Sequence, residues 1–208
     1  MQGSAGLTLA TLLPGCTEAA LKKATMPDGY EMPLESEPHE RTFMQWPVNL
    51  DVYDKRSLVK VQASIALIAN TIARYESVVI LAAAEHHAAT RKLISTDVEL
   101  WDIPTDDLWC RDSGPTFVKN AKGELAIAHI LFNGWGDKQP HGNDALVAER
   151  IAERLDLPLL DTGLVGEQGG VEHDGAGTVL AHASCWANPN RNSPRDAEIG
   201  EKLLKALG

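Results

Sequence analysis

One structural unit is written twice in the second half of the chain, and that repetition restricts the fold more than any other feature. Residues 117–118 and 124–131 read as the strands of a hairpin around the turn Lys119-Asn120-Ala121-Lys122-Gly123, followed by the loop Phe132-Asn133-Gly134-Trp135-Gly136. A helix over 145–155 and a short strand over 157–160 come next. The order then recurs: 171–173 and 178–183 flank the turn Asp174-Gly175-Ala176-Gly177, an asparagine-rich loop runs from Asn188 to Asn192, and a helix starts near Pro194. Glycine and asparagine at the turns supply the left-handed backbone that tight hairpins need. Repetition of this kind, with little residue identity, predicts modules set around an axis. The second unit reaches Gly208 inside its helix, with no closing strand, and so reads as truncated.

The first half alternates strand and helix. Residues 41–46 read as a strand stopped by Pro47. Leu58, Val61, Ile65, Ile68, Ile72 and Tyr75 recur at three- and four-residue steps, which predicts a helix with those residues on one face. A strand over 77–81, a helix over 85–94 and a strand over 98–103 ended by Pro104 follow. Alternation of this kind makes the chain α/β.

Composition narrows the function classes. The 208 residues are 44% hydrophobic and 23% charged, ordinary for a globular protein of one domain or two small ones. A net charge of −10 argues against nucleic acid as partner and is compatible with a cationic small molecule. The three cysteines, Cys16, Cys110 and Cys185, form no CxxC pair, so neither a zinc site nor a disulfide framework is indicated. Residues 1–25 read as a signal-sequence remnant or disordered leader, because 3–16 are small and apolar, although the basic stretch that should precede them is missing. Export follows if that reading holds, and a cytoplasmic location if it does not. No other stretch approaches the roughly 18 apolar residues of a membrane span.

Chemistry concentrates in the loop after the strand ending near Ile103. Asp106, Asp107, Trp109, Arg111 and Asp112 fall within seven positions and lead into Gly114-Pro115. Paired carboxylate oxygens match the fork of a guanidinium, and a tryptophan face adds cation–π attraction of roughly 0.5–2 kcal/mol. The competing structural reading is an aspartate-rich turn whose side chains cap nearby amides.

The segment Asp107-Leu108-Trp109-Cys110-Arg111-Asp112-Ser113-Gly114-Pro115 resembles the D-x-W-x-R-D-x-G-P signature of the agmatine deiminase and bacterial peptidylarginine deiminase family. Gln45-Trp46-Pro47, Phe132 to Gly136, Glu167 to Gly175 and Asn188 to Asn192 match in the family's order, so the resemblance runs from about Met26 to the C-terminus. It implies a pentein fold of ββαβ modules around a central site, of which residues 26–208 would form half to three fifths. It implies hydrolysis of a guanidino group to a ureido group plus ammonia, through a cysteine thiouronium intermediate and without a cofactor. Agmatine would give N-carbamoylputrescine, and an arginine side chain citrulline. Carried over by motif, Asp112 would be the catalytic carboxylate that grips the guanidinium. Trp109 and Glu167 would bind substrate, with Trp46 at the rim, and Arg111 would order neighbouring loops. A homo-oligomer is compatible with the resemblance.

The sequence departs from the family in two ways. Gln168 intervenes between Glu167 and Gly169-Gly170, where the family glutamate is followed directly by glycines. The family's H-x-D motif and its nucleophilic cysteine lie downstream of the asparagine-rich loop, where these residues have no counterpart. Cys110 sits among carboxylates that disfavour its thiolate, and Cys185 reads as packing. The histidines at 86, 87, 129, 173 and 182 read as structural. The chain alone is therefore expected to be inactive. Three rivals remain: a non-catalytic guanidine- or polyamine-binding module, a metal-dependent hydrolase built on Asp106, Asp107, Asp112 and His141, and a two-carboxylate glycosidase.

Overall fold

The structure, a computed structural model, describes residues 21–193 and 198–208. The stretch read as an apolar signal remnant therefore lies outside the described residues. The last residues of the 1–25 span, 21–25, are described. Lys23–Thr25 (β1) is a strand, paired in parallel with Leu159–Asp161.

The chain continues through Tyr30–Glu31 (β2), Thr42–Gln45 (β3), helix Lys55–Ile72 (α1), Val78–Ala82 (β4), helix Ala84–Thr90 (α2) and Val98–Asp102 (β5). A single helical turn, Cys110–Ser113 (α3), leads into the hairpin Thr116–Asn120 (β6) and Leu125–Leu131 (β7). Helix Val147–Leu155 (α4) and Leu159–Val165 (β8) close that module. The second hairpin is Val171–His173 (β9) with Val179–Ala181 (β10), followed by the helical turn Ala183–Trp186 (α5) and helix Ile199–Leu207 (α6).

Three sheets result. β3, β4 and β5 are parallel with β4 central, and a five-stranded mixed sheet runs β1-β8-β7-β6-β2. The β9–β10 hairpin stands apart from both. All five β4 residues are fully buried, as expected of a central parallel strand covered on both faces. The two-residue period divides them. Val78, Ile80 and Ala82 face Ile65, Ala66 and Ala69 of α1, whereas Val79 and Leu81 join Ile127, Ile151 and Leu159. The five-stranded sheet is divided the same way, with Ile127 on the α4 side and Ala126 and Ala128 on the side of Leu203 and Leu207 of α6. Each fully buried leucine or isoleucine here contributes about 1.5–3 kcal/mol.

The α1 face differs from expectation. Ile68 is 47% exposed and Tyr75, beyond the helix end, is 80% exposed. Each three-residue step falls about 60° short of a full turn, so a run leaning on such steps drifts off the core. Alanines 66 and 69, small enough to let the helix approach β4, complete the buried face instead. Asp54 caps the helix by accepting from the amides of Arg56 and Ser57. α2 stops at Thr90 rather than 94, and β8 runs to Val165 rather than ending at 160.

Candidate active site

The 106–115 loop is anchored before it presents any side chain outward. Asp106 accepts from the amides of Asn143 (2.7 Å) and Asp144 (3.2 Å) and from Asn143 Nδ2 (3.1 Å). Asp107 is 2% exposed, and its Oδ1 accepts from the Tyr53 hydroxyl at 2.6 Å. These two carboxylates are the capping residues of an aspartate-rich turn, and only the third faces the site. They do not gather with Asp112 and His141: among the described residues no cluster of three or more histidine, cysteine, aspartate or glutamate side chains could hold a metal.

α3 turns the backbone so that Trp109, 45% exposed, and Asp112 emerge together. Arg111 pairs with Glu35. The Trp135 indole and the Gly169 amide are the nearby donors that favour the Asp112 anion. Burial holds its carboxyl above the usual range, and the neighbouring Glu167 charge pushes the same way, outweighing the two donors and Arg111. A cation placed against Asp112 would relieve both causes.

Trp135 reaches Asp112 because its loop is unusually tight. Trp135 has φ 58° and Gly136 φ 84°, and Asn133 Oδ1 accepts from the Gly136 amide at 3.0 Å. A Cβ on Gly134 would fall on the His141 ring. The indole stands edge-on to Trp109 (6.2 Å, 86°) and to buried Phe132 (5.0 Å, 89°), so Trp135 is held between two aromatic rings beside the carboxylate.

Glu167 is held by a residue from the asparagine-rich loop. Arg191 Nη2 donates to its Oε1 (3.0 Å) and Nε to its Oε2 (3.1 Å), with both side chains 10% exposed or less. Asn133 Nδ2 donates to the Asn190 carbonyl at 2.7 Å, and Asn192 bonds Val165 and Trp186. The loop therefore ties together the two segments that flank Asp112. Oxygens of a carboxylate have two acceptor positions each, so pairing with Arg191 leaves Glu167 able to take a further donor.

The profile of Porphyromonas-type peptidyl-arginine deiminase matches residues 31–208. The chain belongs to that family. Agmatine deiminases of Ectopseudomonas mendocina and Stutzerimonas stutzeri are similar to this deiminase-family chain at 35% and 36% identity over 185 residues, covering 86% of it and 50% of each of them. An agmatine deiminase structure from Enterococcus faecalis superposes with a TM-score of 0.82 at 29% identity, covering 89% of this chain and 54% of that one. The chain thus spans about half the length of these relatives. Its fold is the pentein type, of which it carries a little over half, and the modules read from the repeat are pentein modules.

Within this deiminase-family chain Glu167 lies close enough to Asp112 for its charge to act on that carboxyl, and Trp109 stands edge-on to Trp135. It does not bring Trp46 to a rim. Trp46 is 2% exposed and packs with Ile65, Ala69 and Ile80, because the parallel pairing of β3 with β4 turns it under α1. Trp135, Gly169 and Arg191 are the residues that sequence reasoning quoted in motifs without giving them a part in the site. A tryptophan set between two glycines in a polar loop was the available signal for the first.

Proposed function

We propose that this chain supplies the guanidinium-gripping part of a guanidine deiminase, with agmatine as substrate. The observation that carries this reading is the setting of Asp112. Its half-buried carboxylate has an indole and a backbone amide as nearby donors, lies three residues from the exposed Trp109, and is disfavoured as an anion by burial and by the Glu167 charge. The planar fork of a guanidinium fits paired carboxylate oxygens, and its flat face fits the Trp109 ring. The similarity to agmatine deiminases supports the choice of substrate.

In the full reaction a cysteine thiolate adds to the guanidinium carbon. Ammonia leaves to give a thiouronium, and water then displaces the sulfur to release the ureido product. Asp112 holds two substrate nitrogens and favours the charged form of the guanidino group, which makes its carbon more electrophilic. Glu167, fixed by Arg191, adds negative potential on the same side. Neither the thiolate nor the proton-carrying histidine is assigned to a residue of this chain. Ser193 to Gly208 contain neither cysteine nor histidine, and Cys110 is a buried thiol pushed up to about 12. We therefore infer that these 208 residues bind the substrate head without turning it over.

Calorimetric titration with agmatine, run beside an ammonia-release assay, tests both halves of this reading. Binding by the chain, abolished in Asp112→Asn, with no ammonia released is the expected result. Ammonia released by the unaltered chain would overturn the inference of inactivity, and binding that survives Asp112→Asn would overturn the role of Asp112. Peptidylarginine is the second substrate, and the same titration with an arginyl peptide ranks it against agmatine.

A further inference from the structure

Gln45 is the last residue of β3 and is a fully buried polar side chain. Its one amide joins three segments. Nε2 donates to the Asp107 carbonyl (3.1 Å) and to Asp144 Oδ1 (3.0 Å), and Oε1 accepts from the Ser113 hydroxyl (2.7 Å). Asp144, 2% exposed, accepts in turn from the amides of Asp106 (2.8 Å) and Asp107 (3.1 Å). Residues 106–107 and Ser113 are the two ends of the stretch that carries Trp109 and Asp112, so a single side chain holds both ends.

That side chain is mounted on the most constrained element of the first half. β3 pairs with β4 in register through Gln45↔Leu81, and β4 is wholly buried. Without the amide, Ser113 retains only its bond to the Trp109 carbonyl at 3.2 Å. That bond lies within the same turn and gives α3 no orientation relative to the sheet. The loss would also leave Asp107 and Asp144 acceptors buried and short of a donor, a costly state.

We infer that Gln45, supported by Asp144, is the positioning residue that aims the Asp112 carboxylate, and that it thereby sets preference for a planar guanidinium over an ammonium. This rests on the reading of Asp112 as the guanidinium-binding group. Two parallel N–H bonds demand a fixed carboxylate plane, whereas a rotating ammonium accepts any orientation. Loosening the loop should therefore penalise the first ligand and spare the second.

Calorimetry with butylguanidine and butylamine, which share a tail, tests the inference on the chain and on Gln45→Met. The unaltered chain is expected to prefer butylguanidine. Gln45→Met, similar in length and unable to bond, should cut that preference roughly tenfold with butylamine affinity unchanged, a loss of the size of one hydrogen bond to a charged group. Should Gln45→Met not fold, Asp144→Asn carries the same test, because its amide cannot accept from both loop amides and Gln45 together. An unchanged preference, or equal loss for both ligands, in a variant with native circular dichroism overturns the inference. Absence of any guanidine preference in the unaltered chain overturns the Asp112 reading itself and this inference with it.

Discussion

The Oδ1 oxygen of Asp112 occupies the place where a side chain on residue 169 would begin. A Cβ added to Gly169 falls on that oxygen, with Arg111 Cγ next at 3.3 Å. Gly169 is absent from the positive-φ glycines of the chain, so the requirement is for space rather than for a left-handed backbone. Gly169→Ala is expected to push Asp112 out of line, weakening agmatine binding by tenfold or more. Its cost in stability should be the 1–3 kcal/mol typical of overpacking. Calorimetry and urea denaturation of the same preparation separate the two effects, and unchanged affinity would show that Asp112 moves freely.

Asp144 should make the fold lose stability as pH rises from acid to neutral. Burial, reinforced by the charges of Asp106 and Asp107, pushes its carboxyl from 3.8 to about 7, against the amides that favour the anion. A carboxyl with a raised folded pKa binds its proton more tightly when folded. Its contribution is therefore complete below about 4 and fades as pH rises through 7. The urea midpoint should fall between pH 5 and pH 8, and Asp144→Asn should flatten that slope. A slope that survives the substitution would assign it to another group.

The Arg191–Glu167 pair should cost more to break than to remove. Arg191→Met leaves a buried carboxylate without its partner, a loss of about 3–5 kcal/mol. The double variant Arg191→Met, Glu167→Leu removes both charges and should recover most of that loss. Denaturant unfolding of the single and double variants measures it. Equal losses in the two would mean that packing, and not the unpaired charge, dominates.

Cys110 should behave as a packing residue despite its place in the signature motif. Burial, with a smaller push from the Asp144 charge, raises its thiol to about 12, and Arg111 compensates only in part. Iodoacetamide at pH 8 should leave it unlabelled in the native chain and label it on unfolding, as read by peptide mass. Labelling of the native chain at the rate of an exposed cysteine would contradict that placement.

Much of the fold was legible because it depends on short-range pattern. The β6–β7 hairpin, α4 and β9 fall where turn glycines and apolar periodicity put them. α1 was recognised as a helix and misread as a face, because three-residue steps alone cannot say which edge of an apolar stripe meets a sheet. For the candidate site, one contiguous motif and one spaced acid single out Asp112, Trp109 and Glu167. Trp46 was misjudged for the opposite reason. An aromatic residue beside a proline looks the same at a rim and under a helix until the strand register is known.

The sequence by itself determined the modules, their order and the concentration of acids and aromatics in one loop. Only the tertiary structure decided which of three neighbouring aspartates are taken up by structural donors. Asp106 and Asp107 were taken by amides from the 143–144 segment and by Tyr53, partners that lie 37 and 54 residues away in the chain. A carboxylate becomes a binding group or a structural one according to the donors that reach it, and those donors are brought by packing rather than by sequence neighbours.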